Sequence, residues 1–497
     1  MADRPRTGIM SDTFAGIRTD LILFVIGFFL AVFIGNRFGP KGLGFFSMAL
    51  TLYILGVLAC TSGLTLAFIP KLREAPESEK RRLMTTALFF AVFFGMAATL
   101  LGFLASNRIA QAFDIYDMWR VVCLVSLSYI PAAFNETLIG LLPILENHKT
   151  ANRYRIRKRV VFVIIAVVMF VTGNIYLVLA SFFVSDLILA VYLIRQERIW
   201  FFPFDFTGFS DTAPGLFLDS MRSSFSGSAG EVNAHVDILI IGYFMTATKV
   251  GIYAAAILIA RLVLLPWEVI REVVLTRWEG GGDASVHPRA ASDIRRYFPY
   301  GMAAMLVIAI TAAIMYDNII GALFPGGDYL ESKRAFLFLL PGIMLYGATT
   351  IYEGILAMSG RSEAVGSISI QTLLINVILG LLLVHAFGIA GAALAGTLSF
   401  FWYYLAVTET LGELNMKVNR WGTILYGVVS AGIALFLFNL IGASLLTAMM
   451  SAVLTILMLV YVEYLDLTVK IGGVAPMDVI KNAKTALKDV KEKRKLH

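Results

Sequence analysis

Charge is scarce in this chain. Only 15% of its 497 residues are Asp, Glu, Lys or Arg, against about 25% in soluble globular domains, and no polar stretch is long enough to fold separately. That scarcity excludes a soluble enzyme. It also excludes a nucleic-acid-binding protein, because the net charge of +7 has no soluble domain on which to gather. Cysteine is nearly missing: Cys60 and Cys123 both lie inside apolar stretches, which excludes an extracellular disulfide framework. The five histidines show no ligand spacing, and no metal or other cofactor is expected.

Apolar residues fill the place of charge, at 58% of the chain and a mean hydropathy of +0.79. Windows of about 20 apolar residues, the length that crosses a bilayer as helix, fall near 14–36, 43–69, 83–106, 117–142, 158–172, 175–194, 215–243, 248–275, 298–321, 335–358, 364–385, 389–411, 422–440 and 445–466. The expected fold is therefore an all-α polytopic membrane protein of about 14 transmembrane helices. The window 158–172 is short and spans only if its basic neighbours snorkel. The first window has Arg18 and Asp20 at its entry and runs on into Asn36-Arg37, so it reads as a retained span rather than a cleaved signal.

Lys and Arg are distributed unevenly. Of the 41, the termini and alternate loops on one side hold 31 and the opposite loops 6, with Arg120, Arg222, Arg261 and Arg271 inside spans. Positive charge marks the cytoplasmic side, so both termini are expected in the cytoplasm of a multi-pass protein of the cell membrane.

The stretch Gly215 to Gly242 is apolar in the main yet carries Asp219, Arg222, Glu231, His235 and Asp237. On a helix turning about 100° per residue, Asp219, Arg222, Ser223, Ser226, Gly230, Asn233 and Asp237 fall within roughly 50° of one line. Glu231 and His235, at i and i+4, form a second patch about 120 to 160° away. Ionisable groups at bilayer depth face a bundle interior or a watery cavity, because hydrocarbon costs each several kcal/mol. The segment is expected to line a central cavity.

Internal repetition supports the same architecture. Gly44, after the Asn36–Lys41 turn, corresponds to Gly251 after Thr248-Lys249 at an offset of 207, and His148–Ala151 resembles Arg361–Ala364 at an offset of 213. Six spans repeat, and an even number makes the two copies parallel. The expected organisation is an N-lobe over 1–200, a cytoplasmic interlobe linker over 201–214 with Pro203, Gly208 and Pro214, a C-lobe over 215–411, two further spans over 412–468 and a basic amphipathic tail over 469–497.

The Arg37–Phe46 turn, the Val236–Gly242 and Gly251–Tyr253 segments, Ser359-Gly360-Arg361 and Phe387–Ala395 resemble the polysaccharide transport family. That family contains the Wzx-type flippases of the multidrug/oligosaccharidyl-lipid/polysaccharide exporter superfamily. The resemblance implies two six-helix lobes, with spans one, two, seven and eight around a central cavity, plus two C-terminal helices. It also implies lipid-linked oligosaccharide as substrate, moved from the inner to the outer leaflet, and other polysaccharide-assembly proteins as partners besides membrane lipid.

Such a substrate brings phosphates, for which guanidinium forks are suited. Arg222 and Arg261 are the candidates for holding them, with Asp219, Ser226 and Asn233 beside them on the stripe; an Asp219–Arg222 structural pair at i−3 is the plain alternative. Asp237 is the first candidate for coupling to H+ or Na+, with Glu231, His235, Glu136, Asp186 and Glu353 behind it. Arg120, after Trp119, reads as an interfacial anchor. The competing functions are a cation-coupled multidrug extruder of the same superfamily and a membrane enzyme of polysaccharide assembly. The buried arginines weigh against the first. The lack of an outward domain weighs against the second.

Overall fold

The computed structural model describes residues 6–115, 117–145, 148–207, 209–268, 271, 286–414, 424, 427–428 and 447–455, with side chains described outside 6–23, 148–149, 210–212, 221–228, 286–297, 299–300 and 358. The expected spans 422–440 and 445–466 and the basic tail lie wholly or largely outside these residues.

The all-α membrane architecture read from the sequence is the one observed. Helix α1 (Arg6–Glu74) carries the first two expected spans, divided at Gly39, whose φ of 68° lies where only glycine sits without strain. Pro40 follows and cannot continue the preceding hydrogen-bond ladder. Then come α2 (Glu77–Ala112), α3 (Met118–Leu145), α4 (His148–Phe170) and α5 (Ile175–Glu197). Pro76 and the acidic first turn of α2 suit a helix N-terminus, and the side chain of Asn174 caps α5 by accepting from the Tyr176 amide at 2.9 Å. After the 198–208 linker follow α6 (Phe209–Asn233), α7 (Val236–Phe244) and α8 (Ala247–Ala260). Next are α9 (Val286–Ile314), α10 (Tyr316–Leu323), α11 (Ser332–Met358), α12 (Ser362–Phe387) and α13 (Ile389–Glu413).

Among the described residues eight stretches are long and apolar enough to cross a membrane, or nine when the bent pair α9/α10 counts as one span. The whole of α1 beyond Phe24 counts once in that number. Two expected straight spans are broken. The window 298–321 bends by 74° between Ile314 and Tyr316. The window 215–243 divides at Ala234-His235, where the His235 amide turns to the Val232 carbonyl at 3.1 Å, a tighter i−3 bond. Such irregular backbone is tolerated at membrane depth because protein, not lipid, surrounds it; Asn233, His235 and Asp237 are all buried.

The chain divides into two compact units: Met1–Arg261 with Asp317–Gly342 and Glu363–Phe400, and Leu262–Tyr316 with Ile343–Ser362 and Phe401–His497. In the second, Trp267 meets Phe298 edge-on at 5.0 Å and Phe298 stacks on Tyr352 at 5.7 Å. In the first, a core around Leu64, Phe68, Met84, Leu138, Leu193 and Leu216 joins α1, α2, α3, α5 and α6. One face of this unit gathers the Gly39 turn with later turns. The Asn36 side chain donates to the Leu323 carbonyl at 2.8 Å, and the Tyr329 hydroxyl donates to the Gly35 carbonyl at 3.1 Å.

At that face the second half of α1 crosses α8 backbone to backbone. A Cβ on Gly44 would stand 1.8 Å from the Ala247 carbonyl oxygen, and one on Gly251 1.8 Å from that of Pro40. Pro40 and Ala247 are separated by the same 207 residues as the two glycines. The crossing is thus locally two-fold symmetric, as the repeat expected from the sequence would have it. Gly44→Ala and Gly251→Ala should each cost about 1–3 kcal/mol through overpacking, read as a lower Tm in detergent. Gly215→Ala, whose Cβ would meet nothing within 4 Å, is the control. Equal Tm values for all three would contradict the close crossing.

Candidate functional site

Three polar groupings interrupt the apolar interior of the first unit. The first follows from the break between α6 and α7. Asn376 on α12 donates through Nδ2 to Asn233 Oδ1 at 3.0 Å and to Asp237 Oδ1 at 2.9 Å, while the Tyr253 hydroxyl of α8 donates to Asp237 Oδ2 at 2.9 Å. Asn233 and Asp237 thus remain together as the stripe predicts, although a helix break lies between them. Among the described residues no cation pairs with Asp237. Its carboxylate rests on neutral donors alone, and Gly396 leaves room beside Oδ2, 3.2 Å from where a Cβ would stand. A carboxylate so held needs a proton or a bound cation to balance its charge in a low dielectric.

The second grouping places two expected coupling residues on one lysine. Lys158 lies ten residues inside α4, about 15 Å at 1.5 Å per residue, and its ammonium reaches Glu136 Oε1 at 2.6 Å, the Tyr53 hydroxyl at 2.8 Å and Asp186 Oδ1 at 3.3 Å. Tyr53 donates to Asp186 Oδ2 at 2.7 Å, and Asn135 Nδ2 to Asp186 Oδ1 at 3.2 Å. Phe182 stacks on Tyr53 at 4.9 Å and closes the site. By position Lys158 reads as part of a basic loop. The structure uses it instead as the counter-ion that lets Glu136 and Asp186 lie inside the bundle.

The next residue points elsewhere. Arg159 lies across span one, where a Cβ on Gly27 would come within 2.9 Å of its Nη2. Its Nε is buried without a hydrogen-bond partner, and it stands in the field of Arg261, the first residue after α8. Neither arginine makes an ion pair with a described residue. Glu231 on α6 also feels Arg261, and His235 Nε2 lies 3.8 Å from Glu231 Oε1, as their i, i+4 spacing predicts. Among the described residues, Arg159 and Arg261, both half-buried, thus act on one another, with the exposed carboxylate of Glu231 in the field of Arg261. Like charges so placed repel unless an anion comes between them.

The remaining candidates are dispersed. Helix α6 runs through Arg222 and Ser226, whose side chains lie outside the described residues. Asp219 Oδ2 accepts from Lys71 Nζ at 2.8 Å, tying α6 to the end of α1. Glu353 belongs to the second unit, where the Tyr403 hydroxyl donates to it at 2.6 Å. Arg120 lies over Trp119 and Tyr176 at 5.4 and 5.5 Å and pairs with Asp117, the contacts an interfacial anchor makes. Sequence reasoning missed Arg159, Lys158, Tyr53, Tyr253 and Asn376. The run Arg157-Lys158-Arg159 at the start of a short apolar window was the one available signal, because its last two cations had to enter the bundle for that window to span.

With this geometry in view, comparison with known proteins places the chain. The family model described as polysaccharide biosynthesis protein matches residues 21–276, more than half of the sequence, and the chain belongs to that family. Over 188 residues it is 23% identical to a Haloferax volcanii protein described as a probable low-salt glycan biosynthesis flippase, Agl15, covering 38% of this chain and 40% of that one. Its fold is similar to that of a lipid II flippase, MurJ, in an inward closed conformation, with a TM-score of 0.68 at 16% identity over 90% of this chain and 98% of the other. It is also similar to an inward-facing MATE-family multidrug resistance transporter of the MOP superfamily, with a TM-score of 0.61 at 13% identity over 79% and 95%.

The buried network around Lys158 generates a stability prediction. Lys158→Met should lower stability by about 3–5 kcal/mol, the usual cost of leaving buried carboxylates without their cation, seen as a lower Tm in detergent. Adding Glu136→Gln and Asp186→Asn should recover most of the loss. A triple variant no more stable than Lys158→Met would contradict the network.

Proposed function

We propose that this protein is a flippase that carries lipid-linked oligosaccharide or polysaccharide repeat units from the cytoplasmic to the outer leaflet by alternating access. The observation that carries the reading is the pair Arg159 and Arg261, half-buried and, among the described residues, without an ion pair, in a member of a polysaccharide biosynthesis family. Their forks would hold the phosphates that join sugar to lipid, while the polyprenyl tail stays in the bilayer. Arg222 and Ser226 on α6 would extend that polar path. Lys71 and Asp219 would latch the end next to the linker, and the Lys/Arg asymmetry makes that end, with both termini, cytoplasmic in the cell membrane. The six-span lobes over 1–200 and 215–411 would supply the two moving halves. No covalent bond is made or broken in such a cycle, and proteins that assemble the repeat unit would be its functional partners.

Asp237 would carry the coupling ion, H+ or Na+, because it is held by Tyr253 and Asn376 with no cation beside it among the described residues. Asn233 would belong to this ion site through Asn376 rather than to the phosphates. Glu231 with His235 is the second choice. Glu136 and Asp186 share the Lys158 ammonium, and Glu353, held by the Tyr403 hydroxyl, is the last choice. The same uncompensated Asp237 favours one competing reading, cation-coupled multidrug extrusion, which the fold likeness to a MATE-family transporter also suits.

Delivery of lipid-linked sugar to the outer leaflet, in cells or liposomes, discriminates between them. Arg159→Ala and Arg261→Ala should each reduce transport on the order of tenfold or more, with Arg→Lys recovering part, since a point charge lacks the fork. Asp237→Asn should remove the ion dependence at unchanged membrane abundance. Full sugar transport by Arg159→Ala/Arg261→Ala, or efflux of organic cations in its place, would overturn the flippase reading.

A further inference from the structure

The linker over 198–208 has too few polar residues for a connector carried in water. Its Phe202, Phe204 and Phe206 are 57, 61 and 47% exposed, yet they are not loose. Phe202 meets Phe204 edge-on at 5.8 Å, Phe204 lies 6.4 Å from Phe206, and Phe206 meets Phe89 of α2 edge-on at 6.0 Å. Phe89 is exposed too. It begins an outward apolar face of α2 that continues through Phe93, Met96, Leu100 and Leu104, on a helix long and apolar enough to cross a membrane. One apolar surface therefore passes from a spanning helix into the linker without a polar interruption.

Cations border that surface. Arg81 and Arg198 are exposed, and Arg81 and Arg82 both act on Asp205 at the linker's centre. The backbone there is clamped. The Asp205 amide donates to Thr85 Oγ1 at 3.4 Å, and the Thr207 amide donates to the Asp205 carboxylate at 3.0 Å. With the Thr207 hydroxyl donating as well, the Asp205 carboxyl titrates below its ordinary range. The clamp turns the Asp205 amide to α2 and leaves the flanking rings outside.

We propose that the linker is an interfacial membrane element, with Phe202, Phe204 and Phe206 among the upper acyl chains of the adjoining leaflet and Arg81, Arg82 and Arg198 at the phosphates of anionic lipids. Bilayer lipid is the occupant because the aromatic face continues the lipid-facing surface of α2 and its rim is cationic, the combination that binds an anionic leaflet. A second copy of the chain or a soluble partner would need no such continuity. The inference does not depend on what the protein transports.

Two measurements test it in liposomes containing phosphatidylglycerol. Hydroxyl-radical footprinting of the unmodified protein should oxidise Phe202, Phe204 and Phe206 several-fold more slowly in the bilayer than after extraction into detergent with short polar-headed chains. A spin label on Phe204→Cys, in a Cys60→Ala/Cys123→Ala background, should lie below the phosphate level by its oxygen and nickel-chelate accessibilities. It should rise toward water on Arg81→Gln/Arg82→Gln/Arg198→Gln. Oxidation at the rate of water-exposed loops, a label fully open to the nickel chelate, or dipolar coupling between labels on two copies would each overturn the proposal.

Discussion

The cost of burying charge in a membrane governs this structure. Each ionised side chain taken out of water needs a partner or a function, and the first unit meets that demand unevenly. Lys158 satisfies Glu136 and Asp186 within one hydrogen-bonded group. Tyr253 and Asn376 hold Asp237 without neutralising it. Arg159 and Arg261 share a field with no ion pair to a described residue. Among the described residues these two sites differ in sign, and under the proposed function one would take a cation and the other the phosphates of the substrate.

Adjacent residues on α4 divide these tasks. Lys158 faces the carboxylates of α3 and α5, and Arg159 faces Gly27 of the first span. Any shift of α4 would move the internal ion pair and the Arg159 guanidinium together, so the paired lysine gives Arg159 a fixed base. Gly27 matters in the same connection, because a Cβ there would stand 2.9 Å from Arg159 Nη2 and the guanidinium would have to shift. The Gly44–Gly251 crossing applies that rule at the opposite scale, bringing two main chains rather than a side chain and a main chain into contact.

Much of the architecture was legible because its signals are long. Apolar windows gave the helices, and the shared offset of Gly44 and Gly251 marked two glycines that meet where the main chains cross. The breaks were not legible. Nothing in a periodicity argument distinguishes a straight span from α6 and α7 divided at His235, since Asn233 and Asp237 fall on one line in either case. The anion candidates were half legible: Arg261 stood alone in an apolar window, whereas Arg159 was hidden in a basic run that the positive-inside rule reads as loop. Charge counting identifies a side of the membrane. It does not identify which member of a cluster turns inward.

Direct binding of a lipid diphosphate to the purified protein tests the central claim, that Arg159 and Arg261 form a phosphate site. Measured by thermal shift in detergent with a polyprenyl diphosphate, the native chain should gain stability with added ligand, and Arg159→Ala should lose most of that gain at unchanged ligand-free Tm or better, since removing one of two repelling charges relieves the apoprotein. An equal ligand-dependent shift in Arg159→Ala and in the native protein would contradict the account.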